Sequence, residues 1–237
     1  MFAKALPSIL TVGNLFLGII AIILVFEGRT DYAAIMVIVG MLLDGLDGRV
    51  ARMLNTQSEF GKELDSLSDI VTFGVAPAFI MYAAVLSDLG TIGWIITGVF
   101  PICGALRLAR FNVQDGVPGY FVGLPITAAG GILATFALYY ASLPFYVLVI
   151  GMLLLSYLMI SNIKYPSFKT LGLPRIVYYV SALVILIIIL VSLFYPSQVN
   201  KLLFLPLALY ALYGLRRKGR PYKRFFRKRK KTDNKDS

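Results

Sequence analysis

Histidine is absent from the 237-residue chain and cysteine occurs once, at Cys103. These absences exclude Ser-His-Asp and Cys-His nucleophiles and the usual His- and Cys-rich zinc sites. A single cysteine forms no intrachain disulfide, and inside an apolar segment it reads as a small packing residue. Charge is also scarce, with 15% charged against 58% hydrophobic residues. The apolar runs are too long and too numerous for a soluble core of this size, which indicates a polytopic membrane protein. Acids are rarer than bases, 12 against 23, and the net charge is +11. The bases sit in loops at one membrane face and in the C-terminal tail, with no folded nucleic-acid module beside them. The excess is therefore a topology signal, and no nucleic-acid partner is expected.

Four of the scarce acids lie close together in the sequence, at Asp44, Asp47, Asp65 and Asp69. A carboxylate in or near hydrocarbon costs roughly 2.5–3.5 kcal/mol on insertion scales, so four beside apolar helices need a compensating partner. Asp44 and Asp47 are three apart and Asp65 and Asp69 four apart. On two helices, each pair projects from one face and the four converge on one point. An all-oxygen site of this kind suits hard cations such as Mg²⁺ or Mn²⁺. Gly48 and Gly61 remove side chains beside the carboxylates and admit a phosphorylated ligand, and Arg52 can hold phosphate in bidentate fashion. The plainer alternative is a set of salt bridges to Arg49, Arg52 and Lys62 at a helix end, which accounts for one pair more easily than for the whole constellation.

The string Asp44-x2-Asp47-Gly48-x2-Ala51-Arg52-x8-Gly61-x3-Asp65-x3-Asp69 resembles, at every position and spacing, the signature of the CDP-alcohol phosphatidyltransferases. The resemblance implies a metal-dependent membrane enzyme, a homodimer, that binds a CDP-linked lipid, transfers its phosphatidyl group to an alcohol and releases CMP. It assigns metal binding to Asp44, Asp47, Asp65 and Asp69, with Asp69 also the general base. CDP-lipid binding falls to Gly48, Ala51, Arg52 and Gly61.

Taken in order, the pattern predicts an all-α bundle of about eight transmembrane helices. They span roughly residues 7–26, 32–52, 61–86, 91–108, 124–140, 145–161, 176–195 and 202–215. A membrane domain over 1–215 is followed by a basic tail over 216–237. The first span is too long for a cleaved leader and lacks a clear small-residue cleavage site, so it is expected to remain as a membrane helix. Its Asn14, among apolar neighbours, needs a hydrogen-bond partner, either an adjacent helix or the CDP-lipid site. Pro77 is expected to kink the third helix. At about 1.5 Å per residue, Asp44 lies roughly 12 Å below Arg52, near the depth of lipid phosphates. Small residues such as Gly98, Gly104, Gly130 and Gly131 permit tight helix contacts.

Arg107 and Arg110, three apart at the end of the fourth span, are either snorkelling anchors or an anion clamp for diphosphate or an acceptor carboxylate. The run over 107–112, which ends in Asn112, resembles segments of phosphatidylserine synthases within the larger family. So do Gly123-Leu124-Pro125 and the string over 161–169, which contains Lys164. This second resemblance favours L-serine as acceptor, with Arg107, Arg110, Asn112 and Lys164 as candidate acceptor- or phosphate-binding residues. Glycerol 3-phosphate or an inositol phosphate is the alternative acceptor, and a cation transporter the alternative class. With eight spans and both termini inside, every basic residue except Arg29 and Lys201 falls on one side. That places the site at the cytoplasmic face of the cell membrane, among membrane lipid.

Overall fold

The computed structural model describes residues 2–113 and 120–166 of the chain. Six helical rods follow one another: α1 (Phe2–Phe26), α2 (Thr30–Met53), α3 (Glu59–Leu89), α4 (Thr91–Val113), α5 (Ile126–Leu138) and α6 (Phe145–Ile160). Three of these are long and apolar enough to cross a membrane, over Leu6–Phe26, Glu59–Leu89 and Thr91–Val113, while α5 and α6 are shorter apolar helices. The expected seventh and eighth helices and the basic tail lie outside the described residues.

The first two connections follow one rule. Gly28, at φ +73°, ends α1 with Gly28 N–H donating to Val25 O (3.0 Å) and Arg29 N–H to Leu24 O (2.8 Å). Asn55, at φ +50°, ends α2 in the same way, with Asn55 N–H to Arg52 O (3.3 Å) and Thr56 N–H to Ala51 O (3.0 Å). Both are Schellman closures, which need a left-handed residue that Gly and Asn adopt most readily. Ser58 then caps α3 by accepting from Gly61 N–H at 3.0 Å, so the helix starts two residues before the expected position.

α3 is not a uniform α-helix. It is α-helical over Glu59–Asp69, opens into a π turn over Ile70–Val75, returns to α over Ala76–Met81 and opens again over Tyr82–Leu86. Pro77 has no N–H, so the carbonyl of Phe73 loses its α-helical partner and the first π turn absorbs the mismatch. Gly130 of α5 sits against that carbonyl, where a Cβ would collide with Phe73 O. Gly74 faces Pro101 of α4, and Gly104 of α4 faces Ile126 of α5. Small residues thus let α4 and α5 close on each other and on the middle of α3, over a core containing Phe73, Phe100, Leu133, Met152 and Met159.

The opposite faces are apolar and exposed. On α1, Ile9, Val12, Phe16, Ile19, Ile23 and Phe26 form an outward stripe at alternating three- and four-residue spacing, opposite buried Thr11, Asn14 and Ala21. Such a stripe suits hydrocarbon. At the far end of α3 from its Asp residues, Trp94 Nε1 donates to Tyr82 Oη at 2.9 Å, a pair typical of a membrane–water boundary.

The all-α expectation needs one correction. Tyr120–Val122 (β1) and Lys164–Pro166 (β2) form a two-stranded antiparallel ribbon with Phe121 opposite Tyr165. Gly123, at φ +81°, turns the chain out of β1, and Leu124 N–H bonds to Leu158 O at 3.0 Å. α5 therefore begins at Ile126 rather than 124, and it ends at Leu138 rather than 140. The fourth helix runs five residues beyond the expected 108, to Val113, so the whole run over 107–112 is helical.

Candidate active site

Helical periodicity places Asp44 and Asp47 on one side of α2, facing the first turns of α3. One carboxylate oxygen from each of Asp44, Asp47 and Asp65 lies within 4.8 Å of the other two. Asp47 is buried and accepts a hydrogen bond from Thr11 Oγ1 at 2.9 Å, and the same hydroxyl also lies 3.0 Å from the carbonyl oxygen of Pro7. Asp44 Oδ2 accepts from Thr127 Oγ1 of α5 at 3.3 Å. Ser68 Oγ donates to Thr11 O at 3.0 Å, which ties α1 to α3 at the same level.

Asp69 lies one turn further along α3, at the last residue before the π turn. It is buried, it feels the negative charges of Asp44, Asp65 and Asp47 and the positive charge of Arg107, and its Oδ1 has no hydrogen-bond partner among the described residues. Carboxylates held this close repel one another unless a cation offsets them. An oxygen-only donor set with a buried oxygen lacking a donor fits a hard divalent ion.

The residues expected on the CDP side occupy three places. Gly48 and Ala51 are half-buried on α2, and exposed Arg52 folds back so that a Cβ on Gly48 would lie 3.5 Å from Arg52 Nη1. Gly61 stands in the first turn of α3, where a Cβ would lie 3.2 Å from Ser58 Oγ. Asn14 is wholly buried one turn deeper than Thr11. A Cβ on Gly40 would stand 2.8 Å from Asn14 Oδ1, and the Asn14 backbone carbonyl accepts from Thr72 Oγ1 at 2.9 Å. Neither Asn14 Oδ1 nor Nδ2 has a hydrogen-bond partner among the described residues.

The acceptor-side candidates separate. Arg107 is only 6% exposed, with Cζ 5.2 Å from the Phe111 ring centroid and 6.0 Å from that of Phe121. Arg110 is instead committed to four backbone carbonyls and one side-chain amide. Its Nη2 donates to Val122 O (3.2 Å), Met159 O (3.3 Å) and Ser161 O (3.2 Å), and its Nη1 to Ile160 O (3.1 Å) and Asn162 Oδ1 (3.3 Å). It satisfies the last carbonyls of α6 and fastens β1 to them. Asn112 Nδ2 bridges to Ser66 Oγ (3.0 Å) and to both carboxylate oxygens of Glu63 (3.3 and 3.4 Å). Lys164 takes its place in β2, paired in register with Val122.

Thr127, Thr11 and Phe121 join the site without having been singled out for it in the sequence. Thr11 carried a signal, since it lies one turn before Asn14 on the same face of α1. Thr127 and Phe121 carried none, because their roles depend on where α5 and the ribbon pack.

Residues 4–195 match the family described as CDP-alcohol phosphatidyltransferase. The CDP-diacylglycerol--serine O-phosphatidyltransferase of Helicobacter pylori (strain J99) is 39% identical over 217 residues, which cover 88% of this chain and 89% of that protein. The protein of the same name from Bacillus subtilis (strain 168) is 41% identical over 164 residues, 69% of this chain and 91% of its own length. The archaetidylserine synthase of Methanothermobacter thermautotrophicus is 39% identical over 172 residues, 71% of this chain and 72% of that protein.

Proposed function

The chain belongs to the CDP-alcohol phosphatidyltransferase family, and from that membership we propose that it transfers the phosphatidyl group of a CDP-linked lipid to the hydroxyl of L-serine, releasing CMP. The lipid is of the CDP-diacylglycerol or CDP-archaeol type. The observation that carries the reading is the convergence of Asp44, Asp47 and Asp65 beside buried Asp69. The names of the similar proteins support serine as acceptor.

Asp44, Asp47, Asp65 and Asp69 would hold one or two divalent cations, Mg²⁺ or Mn²⁺, which when bound neutralise a diphosphate and stabilise charge on a departing phosphate. Thr11 and Thr127 hold the carboxylates of Asp47 and Asp44 in orientation. Arg52, beside Gly48 and Ala51 at the outer end of α2, receives phosphate, while Gly61 keeps the facing turn of α3 free of a side chain. Asn14 offers a buried amide to the CDP-lipid from below. The serine hydroxyl oxygen attacks the lipid-side phosphorus, the bond from that phosphorus to the CMP oxygen breaks, and Asp69 takes the hydroxyl proton at Oδ1. Arg107 meets the serine carboxylate.

The membrane domain extends over 1–215 as a polytopic bundle of about eight spans, with both termini and the 216–237 tail in the cytoplasm. The site then opens to the cytoplasmic face of the cell membrane, where soluble serine and bilayer-anchored CDP-lipid meet. The enzyme acts as a homodimer. CMP release from CDP-diacylglycerol, measured with L-serine, glycerol 3-phosphate and an inositol phosphate in turn, tests the assignment. Release that depends on serine is expected, and release with only another acceptor overturns it.

A further inference from the structure

We propose that Glu63, at the mouth of the site, binds the α-ammonium group of the acceptor and so selects a free amino acid. The inference rests on the serine-transfer reading above, which gives partners to the hydroxyl and the carboxylate of serine and none to its ammonium.

An ammonium brings three N–H donors, and a carboxylate is the strongest acceptor a side chain can offer them. Among the described residues, Asp44, Asp47, Asp65 and Asp69 gather on the metal side, while Glu27, Asp31 and Asp88 stand at the opposite end of the bundle. Glu59 and Glu63 remain, both exposed in the first turns of α3. Glu59 forms no hydrogen bond or ion pair among the described residues, whereas Glu63 is held toward α4 by Asn112. Glu63, Ser66 and Asp69 follow one another at three-residue spacing, an oblique row along α3 that ends at the proposed base. Asn112 Nδ2 spans the first two, and Glu63 lies about 9 Å from Asp69 along the helix axis. A β-hydroxy amino acid with a hydrogen bond of about 3 Å at each end fills that distance.

Acceptors outnumber donors at this point. The Asn112 amide gives one N–H to Ser66 Oγ at 3.0 Å, which leaves the other to be shared between the two Glu63 oxygens at 3.3 and 3.4 Å. Asn112 Oδ1 is enclosed and has no hydrogen-bond partner among the described residues. A carboxylate accepts about four bonds, so Glu63 has capacity for a further donor. Lys62 does not supply it, because its Nζ lies 3.4 Å from the backbone oxygen of Asn112 and forms no ion pair with Glu63. The bonds from Asn112 to Ser66 and from Lys62 to Asn112 already fasten α4 to α3. The charge on Glu63 is therefore not needed as a tether.

The test uses the full-length enzyme in detergent–lipid micelles, with CDP-diacylglycerol and L-serine as substrates and CMP release as readout. Glu63→Gln keeps the side-chain length and an oxygen for Asn112 while removing the charge. The KM for serine is expected to rise about tenfold while the KM for CDP-diacylglycerol changes less than about twofold. Two competitors of serine isolate the ammonium, L-alanine with ammonium and carboxylate and propionate with carboxylate alone. The parent should bind L-alanine the more tightly, and Glu63→Gln should weaken L-alanine about tenfold while leaving propionate within about twofold. If Glu63→Gln does not accumulate as folded protein, Glu63→Ala carries the same expectation. An unchanged serine KM, equal losses toward both substrates, or a parent in which L-alanine competes no better than propionate overturns the proposal. A parent enzyme that releases no CMP with serine sinks the serine reading itself. A parent active with serine whose Glu63 variants keep its KM sinks only the role of Glu63.

Discussion

Thr11→Val removes one hydroxyl while nearly keeping the side-chain shape, and that hydroxyl lies 2.9 Å from Asp47 Oδ2 in a buried setting. A hydrogen bond to a charged group contributes about 1.5–3 kcal/mol. Here the Thr11 hydroxyl also lies 3.0 Å from Pro7 O, and with one proton it serves Asp47 only part of the time. The lower end of the range therefore applies, about 1.5 kcal/mol, or roughly a tenfold change in an equilibrium constant. Because Asp47 is one of three carboxylates whose oxygens gather within 4.8 Å, the loss should appear in divalent-ion affinity, as it does when outer partners of metal ligands are removed. Titrating Mg²⁺ into chelator-stripped enzyme and following CMP release should show half-activation at about tenfold higher Mg²⁺, with the maximal rate largely recovered at saturation. Thr11→Ser, which keeps the hydroxyl, should titrate like the parent. An unchanged Mg²⁺ curve for Thr11→Val would refute the inference that this hydroxyl orients a metal ligand.

Asp69→Asn removes the proton acceptor and should abolish turnover while leaving CDP-lipid binding largely intact, as equilibrium binding of a CDP-lipid would report; normal turnover would exclude Asp69 as the base. Gly130→Ala forces a Cβ onto the Phe73 carbonyl and should cost about 1–3 kcal/mol, read as a lowered thermal midpoint in detergent, whereas Gly98→Ala meets nothing within 4 Å and should not destabilise. Arg110→Lys replaces a planar fork with a point charge at five acceptors, so thermal stability should fall by about 1–3 kcal/mol; retained stability would show that the end of α6 and the ribbon do not depend on that fork.

What could be read from the sequence was what is local. Two acids three apart and two four apart share a helix face wherever the helices lie, so the Asp44–Asp47 and Asp65–Asp69 pairs were legible before any packing was known. The same holds for the apolar lengths of α1, α3 and α4. Features that depend on distant contacts were not legible. The ribbon joins two three-residue strands more than 40 residues apart, and such short strands leave no periodic trace. Arg107 and Arg110 are alike by spacing, yet one lies on the side of Asp69 and the other on the end of α6, a difference decided by where α6 stops. Pro77 was expected to kink its helix, and the structure has a π turn over Ile70–Val75 just before it, with Gly130 of α5 standing against the Phe73 carbonyl that Pro77 leaves without a partner, a contact no local pattern could reveal.

The dependence of CMP release on divalent cation tests the account most directly. Purified enzyme supplied with CDP-diacylglycerol and L-serine should lose activity on exhaustive chelation and regain it with Mg²⁺ or Mn²⁺. Activity undiminished after chelation would contradict the assignment of Asp44, Asp47, Asp65 and Asp69 to metal binding.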